Sequence, residues 1–341
     1  MPDQFSAPAR IAWIDTAKGV GIILVVVSHV CVSVAGGGLT WFLFLFHMPF
    51  FFILAGILTR AAPPRQLLEK RARSLLVPYA AFLILLGGLL VAKDQYAGGG
   101  LANDLLSLAY GGTRLGGFLG VFWFVTCLFG AQLTFNAVLT ASPRAFGPGT
   151  LSVLIACLAT ATVLSGHPGP LAMGVVPFAV VMLGVGYAYR SFRGPNWPVV
   201  AAAILVATSL LAATRSMAFH LDMKQAEYGP PLTGALLAIA LSLLLLELCK
   251  GLDRVAVLGP LLRRTGQASL FIMFMHQTVH FSLAKFLSAE PAIAVMSLAV
   301  PMLAFELVRR SRHLSPVLLG VPRADIRTGS PAFRAQFARA A

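Results

Sequence analysis

Asp15, Lys18 and His29 sit within one apolar stretch of membrane length, WIDTAKGVGIILVVVSHV over residues 13–30, and residues of these types could together bind an anion and move a proton. At about 100° per residue, His29 falls about 20° around a helix from Lys18, and Asp15 about 40° from His29. A rise of about 1.5 Å per residue puts Lys18 and His29 about 16 Å apart along the axis. Ionisable groups are costly in hydrocarbon, so a polar line along a membrane helix marks a functional site. Asp15 joins the candidate catalytic set as the third member of that face. Its bland alternatives are to cap the helix start or to neutralise Lys18 three residues away.

Two further apolar segments carry imidazoles. His47 in FLFLFHMPFFFILAGIL lies six residues from one end of its segment, as His29 lies six from Ala35, and His276 and His280 in GQASLFIMFMHQTVHF share a helix face four residues apart. Three helices therefore offer histidines at comparable depth. Any one of these could be a simple interhelical hydrogen bond, and Lys18 could snorkel to the headgroups. His167, His220 and His313 fall in loops or tails. Glu247 and Glu306 lie beside Lys250 and Arg309 and read as interfacial ion pairs.

The elements that must position these groups are membrane helices. Hydrophobic residues make up 58% of the 341 residues, charged residues only 11%, and the mean hydropathy is +0.83, against about 25% charged residues in soluble domains. Continuous apolar runs exclude the alternating pattern of a membrane barrel. The expected fold is all-α and polytopic, with about ten spans at 12–35, 41–59, 75–92, 117–140, 149–165, 171–189, 197–214, 231–249, 267–286 and 291–308. Residues 1–10 and 309–341 flank a membrane domain of 11–308. The tail, rich in Arg, Ala and Pro, reads as disordered rather than as a basic surface helix.

With this spacing, Lys93, Arg114, Arg215, Lys224 and Lys285 fall on one side and the other 21 of the 26 basic residues on the opposite side. The asymmetry places both termini in the cytoplasm. It also accounts for the net charge of +14 without nucleic acid, since the excess is spread over loops and lacks interleaved aromatics. The first span is too long and too polar at its start for a signal peptide and reads as uncleaved. Cys31, Cys127, Cys157 and Cys249 have neither redox nor metal-ligand spacing, so they read as packing residues and no metal is expected.

WIDTAKGVGIILVVVSHV, FHMPFFFILAGIL, KRARSLLVPY, VFWFVTCLF and GQASLFIMFMHQTVH, in that order, resemble integral membrane acyltransferase family 3, in particular its fucose 4-O-acetylase-like branch. The family pattern of a basic residue, ten residues and a histidine is matched by Lys18 and His29, and the resemblance implies that His29 is catalytic. The family often has an arginine pair four apart after the second span. Here Arg71 and Arg73 are two apart, and Ala55 stands before Gly56 where serine is common.

The resemblance implies an O-acyltransferase of the bacterial inner membrane that moves an acetyl or other short acyl group from acyl-CoA to a hydroxyl of a cell-envelope or exported carbohydrate, free or lipid-linked. Acetyl-CoA would bind through Lys18, Lys70, Arg71 and Arg73, whose charges suit its phosphates. Neutral His29 would act as general base or carry the acyl group transiently. His47 or His276 would stabilise the oxyanion or orient the acceptor, and Trp123 and His280 would contact the sugar. The rival from another class is a transporter or proton-coupled flippase for a glycan precursor, with the histidines relaying protons.

Overall fold

A computed structural model describes residues 12–96, 99–141, 147–192, 196–215, 220–229 and 233–321. The N-terminal residues 1–10, Arg144, Arg193 and the tail from residue 322 lie outside them. The described chain is helical, with no strand and a single isolated bridge between Asp222 and Glu227. Its helices are α1 Ala12–Val30, α2 Gly38–Phe44, α3 His47–Leu58, α4 Pro64–Arg71, α5 Val77–Tyr96, α6 Leu101–Tyr110, α7 Trp123–Ala141, α8 Pro148–Val163, α9 Val176–Ser191, α10 Trp197–Arg215, α11 Thr233–Asp253, α12 Leu258–Gln267, α13 Ser269–Leu283, α14 Glu290–Arg310 and α15 Leu314–Leu318.

Each of the ten expected segments contains a helix, and seven helical stretches among the described residues are long and apolar enough to cross a membrane. Residues Pro148–Val163 and Trp197–Leu210 are apolar but shorter. The segment expected at 267–286 is a helix of only 15 residues, α13, preceded at Ala268 by the end of α12.

The expected helix at 41–59 is broken at Leu45 and Phe46. Pro49 explains where it restarts: within the first turn of α3 its missing N–H costs no hydrogen bond, whereas in a continuous helix it would. The segment expected at 75–92 begins earlier, at Pro64, and contains a π-helical turn over Ala72–Leu76 directly before Pro78. A π turn there absorbs the hydrogen bond that the proline cannot make.

Two close helix crossings place the histidine-bearing helices. Where α1 meets α12, a Cβ on Gly19 would lie 2.0 Å from the Leu262 carbonyl oxygen, and one on Gly266 would lie 1.8 Å from that of Asp15. Where α3 meets α9, a Cβ on Gly56 would lie 2.1 Å from the Leu183 carbonyl oxygen and one on Gly186 would lie 1.9 Å from that of Ile53. Backbone therefore touches backbone at both crossings, the small-residue contact typical of membrane helices. Polar ties reinforce them: Thr16 donates to Asp253 at 2.6 Å, Arg263 pairs with the same carboxylate at 2.5 Å, and Arg190 donates to the Ile57 and Thr59 carbonyls at the end of α3.

The start of the tail is ordered, contrary to expectation. Leu314–Leu318 forms α15, which packs against α5, and Ser315 and Val321 are buried. Leu318 and the Leu319 that follows the helix are partly buried against the core.

Candidate active site

His29, His47 and His276 come together from α1, α3 and α13. The His29 ring centroid lies 6.2 Å from that of His47, 5.7 Å from that of His276 and 5.6 Å from that of Phe44. The break between α2 and α3 fixes one of the three. His47 Nδ1 lies 2.6 Å from the Leu43 carbonyl oxygen, so this nitrogen carries the proton and, in the neutral ring, Nε2 is an acceptor. His276 Nδ1 is 3.0 Å from the carbonyl oxygens of Ile272 and Met273, and its buried Nε2 has no partner among the described residues. Both rings thus present a lone pair, and neither presents a free N–H.

His29 and His47 line a cavity of about 280 Å³ with Trp123, Met273, Gln277 and the loop residues Asp222, Met223, Lys224 and Gln225. A second cavity of about 360 Å³ lies at the other end of α1, with Asp15, Lys18, Arg71, Ser74, Gln132 and Met273 among its lining residues. Met273, only 2% exposed, belongs to the wall of both. The Lys18 cavity is polar without being satisfied: Arg71 Nε, Ser74 Oγ and Gln132 Oε1 are buried and have no hydrogen-bond partner among the described residues. Buried polar atoms left unpaired in a cavity wall mark where a ligand or water belongs.

The expected site residues divide between these cavities. Lys18 and Arg71 lie on the second cavity, whereas Lys70 and Arg73 are exposed and outside its wall. The helical turn carrying these residues can point only one of them inward. Asp15 lies on the same cavity as Lys18, 3.5 Å from its ammonium, and at about 21 Å along the helix from His29 it is not brought to the imidazoles. Trp123 and Phe281 line the His29 cavity, whereas His280 stacks on Phe281 and is not itself part of the wall. His276, fully buried, is not part of that wall either; its ring packs beside that of His29.

Sequence reasoning missed Gln277 and the loop 220–229. The loop is fixed rather than loose. Asp222 and Glu227 exchange backbone hydrogen bonds at 2.7 and 2.9 Å, Tyr228 stacks on Phe178 with centroids 4.2 Å apart, and the Lys224 ammonium donates to the Leu115 carbonyl at 2.8 Å. Burial raises the Asp222 carboxyl above its usual range and lowers the Lys224 ammonium. The Asp-Met-Lys-Gln run at 222–225 carried one usable signal, an aspartate able to close a turn on the amides that follow it.

Among the described residues no group of three or more histidine, cysteine or acidic side chains could hold a metal ion. The family model described as an acyltransferase domain, that of acyltransferase family 3, matches residues 11–308. No curated protein matches the chain.

Proposed function

Since the chain belongs to acyltransferase family 3, we propose that it transfers an acetyl or other short acyl group from acyl-CoA to a hydroxyl of a cell-envelope or exported carbohydrate, in the manner of the fucose 4-O-acetylase-like branch and from the bacterial inner membrane. The observation that carries this reading is the pair of cavities meeting at Met273, one with the unpaired Arg71 Nε and Gln132 Oε1 and the other with the His29 and His47 imidazoles. The Lys18 cavity takes the donor. At about 360 Å³ it suits the pantetheine arm, with the nucleotide outside among the basic loops, whose excess over the far side assigns this end to the cytoplasm. Ser74 and Gln132 then meet the amides of the arm, Arg71 and Lys18 meet its phosphate end, and Asp15 holds Lys18 in position.

The thioester passes Met273 to reach His29. The neutral imidazole takes the proton of the acceptor hydroxyl as its oxygen attacks the thioester carbonyl. The tetrahedral intermediate collapses with cleavage of the carbon–sulfur bond, and the imidazolium returns its proton to the departing CoA thiolate. With their Nδ1 protons held by backbone carbonyls, both rings offer acceptors at Nε2: His47, on the cavity wall, suits orienting the acceptor hydroxyl rather than stabilising an oxyanion, and buried His276 suits positioning His29.

Transfer of label from acetyl-CoA to envelope glycans by the purified protein in lipid tests the reading; movement of a glycan with no acylation would favour a carrier instead. Arg71→Ala is expected to raise the KM for acetyl-CoA about tenfold, the worth of one charge-assisted hydrogen bond, while exposed Arg73→Ala changes it less than about twofold. Steady-state kinetics on the two variants separates them. Met273→Trp is expected to lower turnover at least about tenfold with acetyl-CoA binding retained, because a larger side chain blocks near-attack geometry between the cavities; turnover equal to wild type would place the route elsewhere.

A further inference from the structure

Gln277, 7% exposed on the wall of the His29 cavity, has a side-chain carbonyl oxygen with no hydrogen-bond partner among the described residues. Gly120 leaves it that space: a Cβ there would stand 2.8 Å from the Gln277 Oε1. Asp222 and Lys224 line the same cavity from the loop 220–229. Asp222 Oδ1 accepts the backbone N–H of Lys224 at 2.9 Å and that of Gln225 at 3.4 Å, which fixes the carboxylate on the cavity rim. The loop itself is docked, with Leu221, Met223 and Ala226 buried and the Ala226 carbonyl accepting from Ser165 Oγ and Gly166 N–H.

We propose that Gln277 and Asp222 form the acceptor subsite, taking the hydroxyls of a neutral polyhydroxylated ring and aiming one of them at His29, with Lys224 setting the charge of the rim. This rests on the acyl-transfer reading only for the fate of that hydroxyl. A carbonyl oxygen and a carboxylate are both hydrogen-bond acceptors, the complement of a surface rich in O–H donors. Trp123 adds an apolar face to the same cavity, where the flat side of a sugar ring can lie. Neutrality follows from the rim: the Asp222 carboxylate and the Lys224 ammonium bring one charge of each sign to the same cavity, so an acidic sugar would gain no net attraction and would meet a carboxylate.

Saturation-transfer NMR on the full-length protein in lipid nanodiscs, with methyl glucoside and methyl glucuronide as probes and no acyl-CoA present, tests the assignment. The expected result is glucoside binding in wild type, with a Kd raised at least about tenfold in Gln277→Leu and in Asp222→Asn. Asp222→Asn keeps the oxygen that holds the turn, so it decides the matter should Gln277→Leu fail to fold. Glucoside binding found alongside an absence of acyl transfer would support the subsite and count against the acyl-transfer reading alone. No glucoside binding in wild type, unchanged binding in both variants, or a glucuronide bound tenfold more tightly than the glucoside would each overturn it.

Discussion

Replacing His29 with alanine is expected to lower acyl transfer by about 10²–10⁴-fold, the contribution of one positioned general base, while acetyl-CoA binding and folding stay near wild type. The reason lies in how the three imidazoles are held. His47 and His276 each commit Nδ1 to a carbonyl of their own segment. His29 makes no such hydrogen bond among the described residues and opens onto the cavity, so it is the ring free to take a proton and return it. The other two are expected to matter less: His47→Ala should cost about tenfold by removing one hydrogen bond to the acceptor of the proposed reaction, and His276→Ala about as much by loosening the placement of the His29 ring beside it. Single-turnover measurement with labelled acetyl-CoA separates the three variants. A His29→Ala enzyme within tenfold of wild type would pass the base to another residue.

Gly266→Val is expected to be the most damaging packing change, costing about 3 kcal/mol of stability and most of the activity that survives. The new Cβ would stand 1.8 Å from the carbonyl oxygen of Asp15 and 2.9 Å from the amide of Gly19. Both neighbours are backbone, so α1 and α12 must separate. Separation moves His29 relative to the rings on α3 and α13, and a shift of about 1 Å at a reacting group can cost about 10²-fold. Gly88→Ala in α5 is the control: its new Cβ meets nothing within 4 Å, and it is expected to leave stability unchanged. Thermal unfolding in detergent compares the two, and a Gly266→Val protein that melts with wild type would show that the α1–α12 contact is not what positions α1.

The histidine cluster was legible in the sequence because it rests on two regularities, the helical period and the depth of a residue in its span. Both hold for α1, α3 and α13 even though α2 and α3 are broken at Leu45 and Phe46, since the break lies at the level of the cluster. Which arginine faces the Lys18 cavity was not legible. Lys70, Arg71 and Arg73 share composition and neighbourhood, and the choice of Arg71 depends on a π-helical turn at Ala72–Leu76. The amphipathic α12 falls between two expected spans, and its ten residues are too short to stand out without α1 to pack on. The loop 220–229 was hidden for a similar reason: a polar segment between spans looks solvated, and only its tertiary partners Phe178, Leu115 and Ser165 hold it over the cavity.

In the proposed reaction an acyl group enters from the Lys18 end of the bundle and leaves on an alcohol at the His29 end. Sealed proteoliposomes test it directly, with labelled acetyl-CoA outside and methyl glucoside supplied either inside or outside. Passage through the protein predicts label on the enclosed glucoside, lost in His29→Ala. Label confined to glucoside that shares the compartment of the acetyl-CoA would contradict it.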